Sequence, residues 1–304
     1  MPFPSELATP PVTKMCFATE HHHSCASAVG GGTRHHRRMR LIGRWVGDDD
    51  AMAPTADRDA ELAVDVADEA GRALLRIRAV GAATPELLGR AGDLDANELI
   101  LERLRHSHPD DAILSEESTD DPARLDAARV WIVDPLDGTR EFVVEGRTDW
   151  AVHIALWTRE RGLTAAAVAL PALGVTLSTT ATPATTPGRD QATRLLFSAS
   201  RTPSFAALLC EVLDGELMTM GSAGAKAMAV VRGDADAYVH SGGQWEWDSA
   251  APVAVAMAYG LWCSRIDGSP LVYNQPHPYL PDLIICRPEL ADPILSALRR
   301  LDAD

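Results

Sequence analysis

Apolar positions recur at near-helical spacing from residue 59 to 79: Leu62, Val66, Ala70, Leu74, Leu75 and Ile77, followed by Gly81. That spacing predicts a helix ended by the glycine. Leu99, Ile100, Leu101 and Leu104 predict a second helix over 93–107. Short apolar runs then predict strands at 112–115, 130–134, 151–157, 163–170 and 175–179. Residues 181–192, rich in Thr, Pro and Gly, read as a surface loop. The second half alternates: strand 195–199, helix 203–213, strand 217–220, helix 223–231, strand 236–240 and helix 248–259. A strand near 282–286 and a helix near 292–302 close the chain, and no internal repeat is visible. A meander-like first half followed by α/β alternation predicts layered sheets and helices, an α/β architecture of the α+β layered kind.

Residues 1–55 break this pattern. They hold Pro-rich pieces, His21–His23, Gly30–Gly32, His35–Arg38 and Asp48–Asp50, with neither a helical nor a strand period. The segment reads as a disordered extension ahead of one domain at 56–304. Its Cys16, Cys25 and histidines match no zinc spacing. Residues 1–52 contain six basic and five acidic side chains, so this tail is nearly neutral and a poor nucleic-acid arm.

The remaining composition narrows the function. A chain of 304 residues, 46% hydrophobic, can bury a large core. A net charge of −15 argues against nucleic acid or an anionic membrane as partner. An acidic protein that handles anions needs a cation at its site. Five scattered cysteines without a CxxC predict a reducing compartment. No apolar run has spanning length and no signal pattern is present, so a cytoplasmic location away from membranes is expected. Lys14 and Lys226 are the only lysines, which draws attention to Lys226.

The most informative run is Trp131-Ile-Val-Asp134-Pro-Leu136-Asp137-Gly138-Thr139-Arg140-Glu141-Phe142. Asp134 and Asp137 stand three apart across a proline expected to stop the strand, and Gly138 permits a sharp turn. The two carboxylates and the Leu136 carbonyl can then face one small space, a hard-oxygen set suited to Mg²⁺. Glu116 and Glu117 close a short apolar strand, where α/β folds place their sites. A Glu pair is more often a solvated face. Asp248 precedes an Ala-rich helix and reads as an N-cap or as a ligand at a helix start. Asp93, at the expected start of the second helix, reads first as a cap. Thr139 is a turn hydroxyl or orients a water. Trp150, Trp157 and His153 lie in an alternating strand and read as core or supporting residues, not ligands.

Asp134–Thr139 together with Trp247-Asp248-Ser249-Ala250-Ala251 resembles the two-motif signature of the inositol monophosphatase-like, lithium-sensitive phosphatases. The resemblance covers about residues 57–304. It implies an αβαβα sandwich of the inositol monophosphatase/fructose-1,6-bisphosphatase type that hydrolyses small phosphomonoesters with two to three Mg²⁺ ions, with Li⁺ as inhibitor. Three details resemble the CysQ-type 3′(2′),5′-bisphosphate nucleotidases: Arg140-Glu141-Phe142 after Thr139, the lysine in Gly221-Ser222-Ala223-Gly224-Ala225-Lys226, and His240–Asp248.

That resemblance places Glu116, Asp134 and the Leu136 carbonyl at one metal, and Asp134, Asp137 and Asp248 at a second. Glu116 with Asp93 would hold a weaker third. Thr139 and Asp93 match the pair that orients the attacking water. The expected Thr ahead of Asp93 is absent from Arg90-Ala91-Gly92-Asp93, which keeps Asp95 as an alternative. Gly138, Thr139, Ser222, Lys226 and Asp248 fall on substrate-binding positions. Lys226 could pair with a second phosphate or be a surface-helix lysine, and Trp245 and Trp247 stack on adenine or fill the core. The Gly242-Gly243 pair would let backbone approach a ligand. The implied substrate is a small phosphorylated nucleotide, 3′-phosphoadenosine 5′-phosphate or its phosphosulfate. An inositol-1-phosphate or fructose-1,6-bisphosphate phosphatase is the runner-up, and a pseudophosphatase that only binds nucleotide or metal is the non-enzymatic alternative. Both monomers and homodimers fit.

Overall fold

The computed structural model describes residues 53–180 and 192–301. The extension read at 1–55 lies outside the described residues as far as residue 52, and so does nearly all of the 181–192 loop. Two long helices, α1 (Ala53–Val80) and α2 (Pro85–Ser107), lead into strands β1 (Ala112–Ser115) and β2 (Arg129–Asp137). A one-turn helix α3 (Thr139–Phe142) precedes β3 (Ala151–Thr158), β4 (Gly162–Leu170) and β5 (Val175–Ser178). The second half runs β6 (Thr193–Ser198), α4 (Ala206–Val212), β7 (Gly215–Met220), α5 (Ala223–Val231), β8 (Ala237–Trp245) and α6 (Glu246–Ala258). It ends with β9 (Trp262–Ser264), β10 (Tyr279–Cys286) and α7 (Pro288–Leu301).

Two five-stranded sheets result, ordered β1-β2-β3-β4-β5 and β7-β6-β8-β10-β9. In the first, β1 and β2 are parallel and the rest antiparallel. In the second, β6 is parallel to both β7 and β8, while β10 runs antiparallel to β8 and β9.

Strand alternation explains the layering. Trp131, Val133 and Ile154 face one way and bury against Val66 and Leu74 of α1 and Ile100 of α2. Val130, Ile132 and Ala155 face the other way, into a central layer with Met228 of α5, Val253 of α6 and, across it, Tyr238 and Ile285 of the second sheet. Phe197, Val239 and Ile284 point outward to Leu209 of α4 and Ile294 and Leu298 of α7. The order is therefore α–β–α–β–α, as the resemblance implied. Small side chains line both faces of β4, Ala166 toward Ala250 and Ala251 in the central layer, and Ala165 and Ala167 toward α1.

The structure corrects several boundaries. Helix α2 starts at Pro85, not 93, because Thr84 caps it: its Oγ1 accepts the Leu87 N–H at 3.3 Å, and Pro85 needs no partner for its nitrogen. Strand β2 does not stop at Pro135. It continues to Asp137 through a shift in register, Asp134 facing His153 and Asp137 facing Ala151, so the proline sits at a bulge. Strand β8 runs five residues past the expected end at 240. Helix α4 is shorter than 203–213, α7 begins at Pro288 rather than 292, and β9 had no counterpart in the sequence reading.

Candidate active site

Backbone register brings the acidic residues together. Ser115 pairs with Val133, and the Glu116 N–H donates to the Val133 carbonyl at 3.2 Å, so the end of β1 sets Glu116 beside Asp134. The bulge in β2 places Asp137 on the same side, and the start of α6 supplies Asp248. Oxygens of Asp134, Asp137 and Asp248 all lie within 4.8 Å of one another. Asp134 is 1% exposed, and its Oδ2 has no hydrogen-bond partner among the described residues. Its Oδ1 accepts the Leu136 N–H at 3.1 Å, which fixes the turn.

Asp137 is anchored at the N-terminus of α5. Its Oδ2 accepts from the Ser222 hydroxyl at 2.5 Å and the Gly224 N–H at 2.6 Å, with His153 Nε2 at 3.2 Å, and its Oδ1 accepts the Ala223 N–H at 3.2 Å. Ser222 also caps that helix, accepting the Ala225 N–H at 2.9 Å. Burial pushes Asp137 up, but His153, Ser222 and Lys226 outweigh it and hold the carboxyl at about 2. The other acids move the opposite way. Burial and the charges of Glu116, Asp137 and Asp248 raise Asp134 well above the usual range. Burial and Asp137 raise Asp248 to about 6, and burial and Asp248 raise Glu116 to about 7. Glu116 is itself exposed, at the rim of this group of acids, and feels the charges of Asp248, Asp137 and Glu117.

An orphaned buried oxygen and several mutually repelling carboxylates are what a divalent cation resolves. The donor set fits: hard oxygens only, from Glu116, Asp134, Asp137 and Asp248, with the Leu136 carbonyl adjoining.

Thr139 opens α3 after Gly138, whose φ of +89° a side chain would strain. Its hydroxyl lies 3.1 Å from Asp93 Oδ1 and 3.2 Å from the Leu136 carbonyl. Asp93 therefore is not a helix cap; it lies well inside α2, facing the site, and burial raises it to about 6. Asp95, the alternative, is exposed. Asp248 is not an N-cap either. Trp245 holds that position, and Asp248 in the first turn accepts the Trp245 N–H at 2.5 Å.

From the carboxylates a solvent-open cleft extends along Gly138, Arg140, Ser222, Lys226 and Arg201 to Tyr238, His240 and Gln244. Lys226 is no surface-helix lysine: it is 2% exposed, donates to the Gly221 and Ser222 carbonyls, and sits 5.1 Å from the Tyr238 ring centre. Burial lowers it to about 8. Trp245 and Trp247 stack on each other, 5.3 Å apart and 13° from parallel, and neither lines the cleft. Gly243, with φ +89°, turns its carbonyl to Arg201 Nη1 at 3.0 Å and His240 Nε2 at 2.9 Å. The sequence reading missed Arg201. Its one signal is its place just after the carboxyl end of β6, flanked by parallel neighbours. No helix among the described residues is long and apolar enough to cross a membrane.

Fold and site together define a layered α/β protein built around a carboxylate centre suited to divalent cations. The chain belongs to the inositol monophosphatase family, whose model matches residues 60–302. It is 54% identical over 255 residues to a 3′-phosphoadenosine 5′-phosphate phosphatase of Mycobacterium leprae, covering 80% of this chain and 94% of that one. It is 32% identical to the 3′(2′),5′-bisphosphate nucleotidase CysQ of Salmonella typhimurium, over 62% of this chain and 81% of the relative. The crystal structure of inositol monophosphatase II from Staphylococcus aureus superposes with a TM-score of 0.66 at 19% identity, covering 77% of this chain and 93% of that one, a likeness of fold.

Proposed function

We propose that this protein is a Mg²⁺-dependent phosphatase that removes the 3′-phosphate of 3′-phosphoadenosine 5′-phosphate, giving AMP and phosphate. Its phosphosulfate is the second substrate, and Li⁺ inhibits by competing at a Mg²⁺ position. The observation that carries the reading is the convergence of Asp134, Asp137 and Asp248 at a cleft also lined by Arg140, Arg201 and Lys226. A bisphosphate needs both: one end for the phosphate that is cut and cations for the one that stays. The activity named for the mycobacterial relative supports the substrate.

Glu116, Asp134 and the Leu136 carbonyl would hold one ion, and Asp134, Asp137 and Asp248 another, with Glu116 and Asp93 available to a weaker third. When bound, the ions lower the pKa of water and neutralise phosphate charge. The chain supplies the alignment. The Thr139 hydroxyl donates a hydrogen bond to Asp93 Oδ1, which leaves its oxygen lone pairs free to accept a hydrogen bond from the attacking water and so aim it. Gly138, Ser222, Lys226 and Asp248 frame the substrate. Asp137, locked to α5, keeps its geometry while charge develops. None of the described cysteines (Cys210, Cys263, Cys286) lines the cleft, in keeping with direct hydrolysis. A cytoplasmic enzyme acting without nucleic acid or membrane, as monomer or homodimer, completes the reading.

The test is phosphate release with Mg²⁺ from 3′-phosphoadenosine 5′-phosphate and from inositol 1-phosphate, with and without Li⁺. Li⁺-sensitive preference for the nucleotide is expected. Preference for inositol phosphate would overturn the substrate and leave the carboxylate centre standing.

A further inference from the structure

Beyond its acidic end at Asp137, Glu141 and Asp248, the cleft has two kinds of wall. One is cationic, from Arg140, Arg201 and Lys226. The other is neutral: Tyr238, His240 and Gln244, which are 1%, 3% and 4% exposed. The Tyr238 hydroxyl, His240 Nδ1 and both amide atoms of Gln244 are buried with no hydrogen-bond partner among the described residues. Buried polar atoms are rarely left unpaired, and one wall holding four of them is a wall made for something that enters.

The tautomer of His240 says what that is. Its Nε2 lies 2.9 Å from the Gly243 carbonyl, and a carbonyl only accepts, so Nε2 carries the proton and Nδ1 is a bare acceptor. Charging the ring is opposed by burial and by the neighbouring Lys226 and Arg201, which together push it down to about 4. A phosphate dianion has no proton to give Nδ1. An N–H or O–H does. Gln244 and Tyr238 can each both donate and accept, which suits the same uncharged group.

We propose that Tyr238, His240 and Gln244 form a neutral hydrogen-bonding pocket that selects the uncharged, N–H- or O–H-bearing part of the substrate. Arg140, Arg201 and Lys226 hold the second anion beside it. This inference rests on the nucleotide reading of the site. The group is a ribose hydroxyl or the exocyclic amine of the base, the two parts of such a substrate with that chemistry.

The test compares wild type with Tyr238→Phe, His240→Phe and Gln244→Leu, each of similar shape. Substrates are 3′-phosphoadenosine 5′-phosphate, its 2′-deoxy analogue, its inosine analogue, and p-nitrophenyl phosphate, which lacks a nucleoside. Expected for His240→Phe and Gln244→Leu is a KM for the nucleotide raised about fivefold to tenfold, with kcat changed less than about twofold. The p-nitrophenyl phosphate rate should stay level, and the analogue that already has a high wild-type KM, and loses nothing more in His240→Phe, identifies the group. A nucleotide KM indifferent to all three substitutions overturns the inference alone and leaves a wall filled by water. Equal losses on p-nitrophenyl phosphate also overturn it, in favour of a packing role. Wild-type turnover of p-nitrophenyl phosphate without the nucleotide overturns the substrate reading and the pocket with it.

Discussion

His153 Nε2 lies 3.2 Å from Asp137 Oδ2, while its Nδ1 lies 3.0 Å from the Trp247 carbonyl, one residue before Asp248. One fully buried imidazole thus joins the two chain segments that carry Asp137 and Asp248. Burial disfavours its charged form, but Asp137 more than offsets this and raises His153 above its ordinary value. Groups that orient ligands in this way typically change metal affinity tenfold to a hundredfold when removed. His153→Leu is expected to weaken Mn²⁺ binding by about tenfold or more in calorimetry. It should also cost about 2–4 kcal/mol in stability, since the Trp247 carbonyl is left without this partner. Unchanged Mn²⁺ affinity would make His153 a core residue and no more.

The carboxylate cluster should make stability depend on pH and cation together. Two charges 4.8 Å apart repel by about 3 kcal/mol at an effective dielectric of about 20. Asp93 and Asp248 are raised from 3.8 to about 6, and Glu116 from 4.5 to about 7. The folded form therefore holds protons that the unfolded chain has released. Below about pH 4 both forms are protonated and the penalty is absent; it grows as pH rises and is complete above about 7. Melting in EDTA should accordingly fall between pH 5.5 and 8, while Mg²⁺ restores it. Asp134→Asn should close most of that gap and abolish cation-dependent turnover. A gap between EDTA and Mg²⁺ that does not widen with pH would refute the account.

Asp236 shows the opposite sign. Its Oδ2 accepts from the Arg194 N–H at 2.8 Å and Nε at 3.0 Å, and its Oδ1 from Arg287 Nη1 at 3.2 Å, tying β6 to the ends of β8 and β10. Burial would raise this carboxyl, but Arg194 and then Arg287 hold it below 3.8. Its contribution is present above the ordinary value and lost as pH falls through the lower folded one. With the guanidiniums partly in solvent, Asp236→Asn should cost about 1–2 kcal/mol at pH 7. In urea titrations with Mg²⁺ present, the difference between wild type and variant should narrow between pH 5 and pH 3. A constant difference would mean that shape, not charge, is what Asp236 supplies.

Residues close in sequence were legible, and residues joined only by folding were not. Asp134 and Asp137 could be read because one turn holds both, and Asp248 because its motif is local. From the residues alone Asp93 came out first as a cap, because Gly89 and Gly92 dilute the apolar repeat of α2 over its first half and moved the apparent start to 93; it was the resemblance that set it beside Thr139. Lys226 stood out through the scarcity of lysine and its place in the Gly221–Lys226 run; its burial depends on how α5 packs against β8. Tyr238, His240 and Gln244 share strand β8, but nothing in that run shows that their polar atoms end up buried and unpaired, and Arg201 reaches them only because the segment after β6 folds beside β8. Layered sheets and helices were readable from the strand-rich first half and the strand–helix alternation after it, and their αβαβα order from the resemblance, while the bulge in β2 was not, since a proline after an apolar run looks the same at a bulge and at a strand end.

Those two glycines mark where α2 touches the site, and Gly92 gives the sharpest test of how Asp93 is held. A Cβ there would lie 2.9 Å from Leu136 Cδ2, 3.0 Å from Phe142 Cε1 and 3.2 Å from Leu74 Cδ2. Phe142 cannot easily yield, being buried edge-on against Trp150 with ring centres 5.0 Å apart. In an exposed helix interior, glycine to alanine would stabilise by about 0.5–1 kcal/mol. Here α2 must instead retreat by a few tenths of an ångström, carrying Asp93 away from Thr139 across a bond of 3.1 Å. Gly92→Ala is therefore expected to destabilise by about 1–3 kcal/mol and to lower kcat by about tenfold to a hundredfold with KM little changed. Asp93→Asn should reproduce the kcat loss without the packing loss, and Asp95→Asn, on the exposed side of the same helix, should do neither. A stabilised Gly92→Ala with full kcat would show that α2 can shift freely and that Asp93 does not need this contact to align Thr139.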